Sequence, residues 1–294
     1  MVGEGLITID WGTTNRRIFV LGPRGEVESR EADARGVTAI PSGGFPAEMA
    51  ALRARFGDRR FLLAGMIGSN RGWTEAPYVR CPVTLPLLAE RLAWVEPGRT
   101  AIVPGACVDD GDTAEVMRGE EVQLLGAAAA GLVPPDAALC LPGTHAKWAT
   151  LEKGALTRFR TVMTGELFAL LRGHSILAGQ LKGPTEASEA FCEGVRRSLA
   201  GCTLPADLFG TRARMLLGKL SDADAPSYVS GLLIGADVRI GLSVVAEGPV
   251  ALIGDPALTR LYGAALRQAG RGFVEIDGER AFLAGIGAIA ERLS

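Results

Sequence analysis

Two stretches of the chain share one plan. In ITIDWGTTNRRIFV (7–20) and in LCLPGTHAKW (139–148) an apolar run breaks at a Gly-Thr pair and then resumes. Short apolar runs separated by a few small polar residues read as two strands joined by a tight turn. One such hairpin opens each half of the chain, which predicts two domains built on the same strand–turn–strand start.

The flanking segments extend the plan. EVESREA (26–32) alternates as a third antiparallel strand after RRIFVLG (16–22), and LTRFRTVM (156–163) does the same after the second hairpin. Helical patterns are expected at 45–56, 119–130, 185–200, 227–246, 256–269 and 279–293, the last near a hinge. A short buried strand is expected at FLLAG (61–65), and strands at VALIG (250–254) and FVEI (273–276). The fold class is therefore α/β in two domains, 1–115 and 116–294.

At 294 residues and 48% apolar composition the chain can build a core for each domain. A net charge of −2 speaks against nucleic acid or an anionic membrane as partner. The apolar run 122–133 is too short to span a bilayer, and 231–245 carries Asp237 and Arg239. No leader-like segment precedes the first strand, so a cytoplasmic location is expected, with self-association left open. The five cysteines (Cys81, Cys107, Cys140, Cys192, Cys202) show no metal-binding spacing and read as reduced thiols.

The first turn has a definite chemistry. Asp10 closes a strand, Gly12 lets the backbone approach a ligand, and Thr13 and Thr14 add hydroxyl and N–H donors suited to phosphate oxygens. A carboxylate beside a polyphosphate repels it unless Mg²⁺ lies between, so Asp10 is read as a metal-side carboxylate of a nucleotide site. Gly143 and Thr144 repeat the turn in the second half, with His145 and Lys147 as additional donors. For these two, a structural histidine and a solvated lysine are equally open readings. Two such turns suit a nucleotide whose phosphates are clasped from opposite sides of a cleft.

The ordered set DWGTTNRR, AGMIGSN, VMRGEE, PGTHAKW, FRTVMTGEL, SGLLIGADV and AFLAGI resembles the 2-dehydro-3-deoxygalactonokinase family. That family is similar to the actin, Hsp70 and hexokinase superfamily. The resemblance implies two ribonuclease H-like (actin-like ATPase) domains with an inter-domain cleft, ATP and Mg²⁺ as cofactors, and phosphorylation of the 6-hydroxyl of 2-dehydro-3-deoxy-D-galactonate. The first domain would then hold one phosphate turn and the sugar-acid pocket. The second would hold the base, the other phosphate turn and the adenosine site.

In similar carbohydrate kinases the base is an Asp after a glycine, at a helix start about twenty residues before the second turn, a place where this chain has Glu. The resemblance places Glu120 there, with Glu121 as the alternative and Asp10 as a rival. Adjacent helical residues point about 100° apart, so one of the two glutamates is expected to face the substrate. Helix-dipole compensation by both is the alternative reading. Gly254, in a strand–Gly-Asp-Pro–helix corner, is placed at the adenosine. Arg17 or Arg118 would hold the substrate carboxylate, and Ser69, Asn70 and Trp73 would line the sugar pocket. Thr164 and Glu166 match the family's TVMTGEL, although a helix start explains them equally well. A kinase of another acidic or amino sugar, and a non-catalytic nucleotide sensor, are the rival readings.

Overall fold

In the computed structural model, which describes residues 5–201 and 203–293, both expected hairpins form. The chain divides into two compact units, 1–135 with 152–158 and 279–294, and 136–151 with 159–278.

The first unit begins with β1 (Leu6–Trp11), β2 (Arg16–Leu21), β3 (Val27–Asp33), α1 (Phe45–Phe56) and β4 (Arg60–Gly65). It continues through β5 (Tyr78–Arg80), α2 (Leu85–Glu90), β6 (Ala93–Glu96), β7 (Thr100–Ile102), β8 (Gly105–Asp109), β9 (Ala114–Met117) and α3 (Glu120–Ala129). Its main sheet has the order β3-β2-β1-β4-β7-β6. β1 pairs antiparallel with β2 and parallel with β4, so Asp10 sits between Arg17 and Ala64 near the C-terminal edge of both. Ile7, Ile9, Trp11, Phe61 and Leu63 are fully buried on one side of this sheet and pack on Phe45, Met49 and Leu52 of α1. Completely burying such side chains contributes about 1.5–3 kcal/mol each, which is what holds the strand ends in place.

The second unit carries β10 (Ala137–Leu141), β11 (Ala146–Glu152), β12 (Ala155–Val162), α4 (Thr164–His174), α5 (Glu189–Leu199), α6 (Leu204–Leu216), α7 (Ala225–Leu242), β13 (Val250–Ile253), α8 (Pro256–Gln268) and β14 (Phe273–Ile276). Its sheet order, β12-β11-β10-β13-β14, matches β3-β2-β1-β4-β7 of the first, a three-strand meander followed by two parallel strands, while β6, antiparallel to β7, has no counterpart among the described residues. α7 is buried along most of its length, so its apolar residues run on all sides and not as one stripe.

The last helix, α9 (Gly278–Ala290), belongs with the first unit from Glu279 onward. It crosses α3 at two glycines. A Cβ on Gly126 would lie 2.0 Å from the Ala281 carbonyl oxygen, and one on Gly285 would lie 2.3 Å from that of Val122. The boundary expected at 115/116 therefore falls inside the first unit, because α3 packs onto α9 at backbone-contact distance.

Short elements escaped the sequence reading. The small sheet β5-β8-β9 has strands of three to five residues, too few for an alternation to register. α6 contains Pro205 and Gly210, both poor helix signals, and Pro205 lies in its first turn, where no N–H is lost to the helix. The expected helix at 185–200 starts only at Glu189, where the Ser188 hydroxyl accepts from the Phe191 N–H. The described cysteines are free, and Cys202 lies outside the described residues. Among the described residues no helix is long and apolar enough to cross a membrane.

Candidate functional site

In the first unit, the polar residues gather at the C-terminal ends of β1 and β4. The turn after β1 is closed by the Gly12 N–H donating to the Asn15 carbonyl at 2.9 Å. Its outward carbonyls are used by the next loop: the N–H groups of Gly36, Val37 and Thr38 donate to Thr14, Gly12 and Thr13. This leaves Thr13 and Thr14 exposed at the turn with their hydroxyls on the surface. Gly36 is a supporting residue that sequence reasoning missed. A Cβ there would stand 2.3 Å from the Thr13 carbonyl oxygen, so only glycine lets the loop brace the turn.

Asp10 is mostly enclosed, and the Arg17 guanidinium donates to its Oδ2. Arg17, expected to hold a substrate carboxylate, is thus engaged by a protein carboxylate. Beside them the chain bends through Gly65 (φ +94°) and Gly119 (φ +104°), conformations that side chains disfavour. A Cβ on Gly119 would lie 3.0 Å from the Gly65 Cα and 4.0 Å from Asp10 Oδ1. The head of α3 is therefore seated against Asp10, which brings the glutamate pair and the first turn into one neighbourhood.

The two glutamates differ sharply. Glu121 is fully buried, and the Gly119 N–H donates to its two carboxylate oxygens at 2.9 and 2.8 Å. Burial, with the Glu120 charge second, pushes the Glu121 carboxyl up to about 8. Glu120 is half-buried, and its Oε2 accepts from the Arg118 N–H at 3.0 Å.

The loop after β4 holds the other expected sugar-side residues. The Ser69 hydroxyl is turned inward and donates to the Met66 carbonyl at 2.7 Å; Asn70 is exposed. Trp73 packs partly buried against the core beneath β1. Arg118, just before the glutamates, reaches this loop and donates from Nη2 to the Ala76 carbonyl at 2.8 Å.

In the second unit, the turn after β10 places Thr144 and His145 outward and buries Lys147, which removes the solvated-lysine reading. Lys147 Nζ donates to the His145 carbonyl at 3.0 Å, so its ammonium folds back under the turn. The His145 ring pairs with Glu166 of α4, and the Glu166 N–H donates to the Thr144 carbonyl at 3.0 Å. α4 approaches this closely because residue 165 is glycine: a Cβ there would meet the Gly143 oxygen at 2.5 Å. Gly254, at the end of the parallel neighbour β13, lies beside the same turn, with a built Cβ 3.5 Å from the Pro142 oxygen.

Thr164 has a different task from the one its motif suggested. Its hydroxyl donates to the carboxylate of Asp237 at 2.6 Å, as does the Trp148 indole N–H, also at 2.6 Å, and the Tyr262 hydroxyl completes the set. Asp237 has no exposed surface; burial raises its carboxyl above the ordinary range, and the three donors oppose that rise. This network ties β11, α4, α7 and α8 together under the turn. Its sequence signal was a lone aspartate within the apolar run GLLIGADVRIG.

Among the described residues no cluster of three or more His, Cys, Asp or Glu is suited to a metal ion. A lone carboxylate such as Asp10 fits Mg²⁺ that keeps most of its waters and is held chiefly by phosphates.

The chain is 36% identical to the 2-dehydro-3-deoxygalactonokinase of Escherichia coli (strain K12), over 98% of each protein. It superposes with a TM-score of 0.90, at 34% identity and 98% coverage of both chains, on the crystal structure of a Sinorhizobium meliloti protein assigned to the same activity. At 12% identity it shares its fold, with a TM-score of 0.52, with the activator of 2-hydroxyisocaproyl-CoA dehydratase from Clostridium difficile, solved with bound ADPNP; the match covers 98% of this chain and 95% of that one. The expected α/β fold in two units is the one shared with these solved structures. A sequence model described as 2-keto-3-deoxy-galactonokinase matches residues 10–289, and with the near-full-length identity it shows that the chain belongs to this kinase family.

Proposed function

We propose that the protein transfers the γ-phosphoryl group of ATP to the 6-hydroxyl of 2-dehydro-3-deoxy-D-galactonate, a step of galactonate breakdown. The observation that carries the assignment of roles is the seating of the α3 head, Gly119-Glu120-Glu121, against Asp10 at the strand ends.

Phosphoryl transfer needs positioning, charge neutralisation and a group that accepts the hydroxyl proton. Glu120 is assigned as that base. It is reachable, whereas Glu121 is sealed and, held up to about 8, is mostly protonated at neutral pH. Glu121 instead shapes the helix start through Gly119. Asp10 would hold Mg²⁺, and the ion would supply neutralisation of the phosphate charge.

Gly12, Thr13 and Thr14 in the first unit, and Gly143, Thr144, His145 and Lys147 in the second, are assigned to phosphate oxygens of ATP. Gly254 is assigned to the adenosine end. Arg17, Arg118, Ser69, Asn70 and Trp73 are assigned to the sugar acid. Glu166 acts by orienting His145, and Thr164 by supporting β11 through Asp237. The reading places the enzyme in the cytoplasm, with soluble small molecules as its partners.

The test is ADP release by purified protein given ATP, Mg²⁺ and a panel of sugar acids. Release is expected with the 2-keto-3-deoxy galacto acid, with product phosphorylated at the 6-position. Preference for another acidic or amino sugar would move the substrate assignment; no release with any member would favour a nucleotide sensor.

A further inference from the structure

The helix α6 of the second unit is apolar on both of its sides. Its inner side packs Leu204, Leu208 and Met215 onto a small cluster around Leu177, Leu181 and Val229, with Thr211 buried beside them. At 100° per residue its outer side carries Pro205, Ala206, Phe209, Ala213 and Leu216, and Leu217 follows just past the helix end. Arg212 borders that outer half and donates from Nη1 to the Ile176 carbonyl at 3.4 Å; the sequence puts no other charge there. A surface helix ordinarily sets polar residues opposite its core stripe, whereas one that is apolar all round is buried on all sides.

The apolar surface continues off the helix. The Arg212 bond brings Ile176 alongside α6, and the Ser175 hydroxyl donates to the Leu171 carbonyl at 2.6 Å, tying this loop to the end of α4. Leu170 of α4, Ile176, Phe209, Leu216 and Leu217 are between 46% and 73% exposed. At roughly 100 Å² each they present about 500 Å² of apolar surface, toward the upper end for a patch on a monomer. An interface between two copies that buries about 800 Å² per partner, about 65% of it apolar, takes up about the same amount.

A two-fold interface must be complementary to itself. On α6 the bulky Phe209 and Leu216, two turns apart, run beside the small Ala206 and Ala213, so one helix carries both ridges and hollows. We propose that this face is the centre of a two-fold homodimer interface, α6 packing antiparallel on α6 of a second copy, with Ile176 and Leu170 at the flank. The axis passes between Arg212 and Ala213, midway between the two bulky residues, so Phe209 of each copy meets Leu216 of the other. The Arg212 charge stays at the margin, turned toward Ile176. The proposal stands apart from the kinase reading, whose own test is ADP release.

The experiment is sedimentation velocity of the full chain at rising concentrations up to about 100 µM, for wild type, Phe209→Glu, Leu216→Lys and an equal mixture of the two variants. Wild type should be a dimer at micromolar concentration, and each variant should dissociate at least a hundredfold more easily, because it buries a charge against an apolar side chain twice. Both positions are exposed, so neither substitution opens the core. The mixture should regain the dimer, since antiparallel packing sets the introduced carboxylate against the introduced ammonium and leaves one Phe209–Leu216 contact intact. A wild type that stays monomeric throughout overturns the proposal, as does a dimer untouched by both substitutions, or a mixture that stays monomeric. A monomer that instead floats with phospholipid vesicles also overturns it, and gives the face to a lipid surface.

Discussion

Replacing Glu121 by glutamine tests the electrostatics at the head of α3. The carboxyl has no exposed surface and is held up to about 8, against 4.5 for the free group. An acid whose folded pKa is raised binds its proton more tightly in the native state than in the unfolded one. Between pH 4.5 and 8 the unfolded chain has lost this proton and the native chain keeps it, so stability falls as pH rises through that window. At about 1.36 kcal/mol per unit, the loss from this group between pH 5 and pH 8 is about 4 kcal/mol, a large share of a typical total of about 5–15. Glu121→Gln removes the titration while its side-chain carbonyl can still accept from the Gly119 N–H. Urea unfolding of both proteins at pH 5, 6, 7 and 8 should therefore show the variant gaining on wild type by about 3–4 kcal/mol across the series. A difference that stays constant with pH would refute the buried, protonated carboxyl and reopen Glu121 as the base.

Other outcomes follow from the same geometry. Glu120→Gln should lower turnover by two or more orders of magnitude with ATP binding nearly intact, read by steady-state ADP release and nucleotide titration; loss of turnover in Glu121→Gln alone would shift the base by one residue. Asp237→Ala should destabilise the second unit by about 3–5 kcal/mol, measured by thermal unfolding, because it strands the Trp148, Thr164 and Tyr262 donors. Gly119→Ala places a Cβ 3.0 Å from the Gly65 backbone at a positive φ, and should cost about 1–3 kcal/mol together with most of the activity.

Much of this protein was readable from its residues in order. The hairpins around Gly12 and Gly143 are local objects: apolar runs of strand length, broken by small residues, have few other ways to fold. The duplicated strand–turn–strand–strand start followed from their repetition, and the carboxylate and hydroxyls at the first turn were legible as residue types. The glutamate pair could be placed at a helix start, since Gly119 and the apolar spacing after it are nearby in sequence. Tertiary structure decided which glutamate is sealed, because burial of Glu121 depends on α3 meeting β1, β4 and α9, which lie far apart along the chain. It also decided that Arg17 serves Asp10 and that Thr164 serves Asp237, a contact across 73 residues. Side-chain hydrogen bonds over such separations leave no periodicity to read. They exist only once packing has brought the strands and helices within about 3 Å of one another.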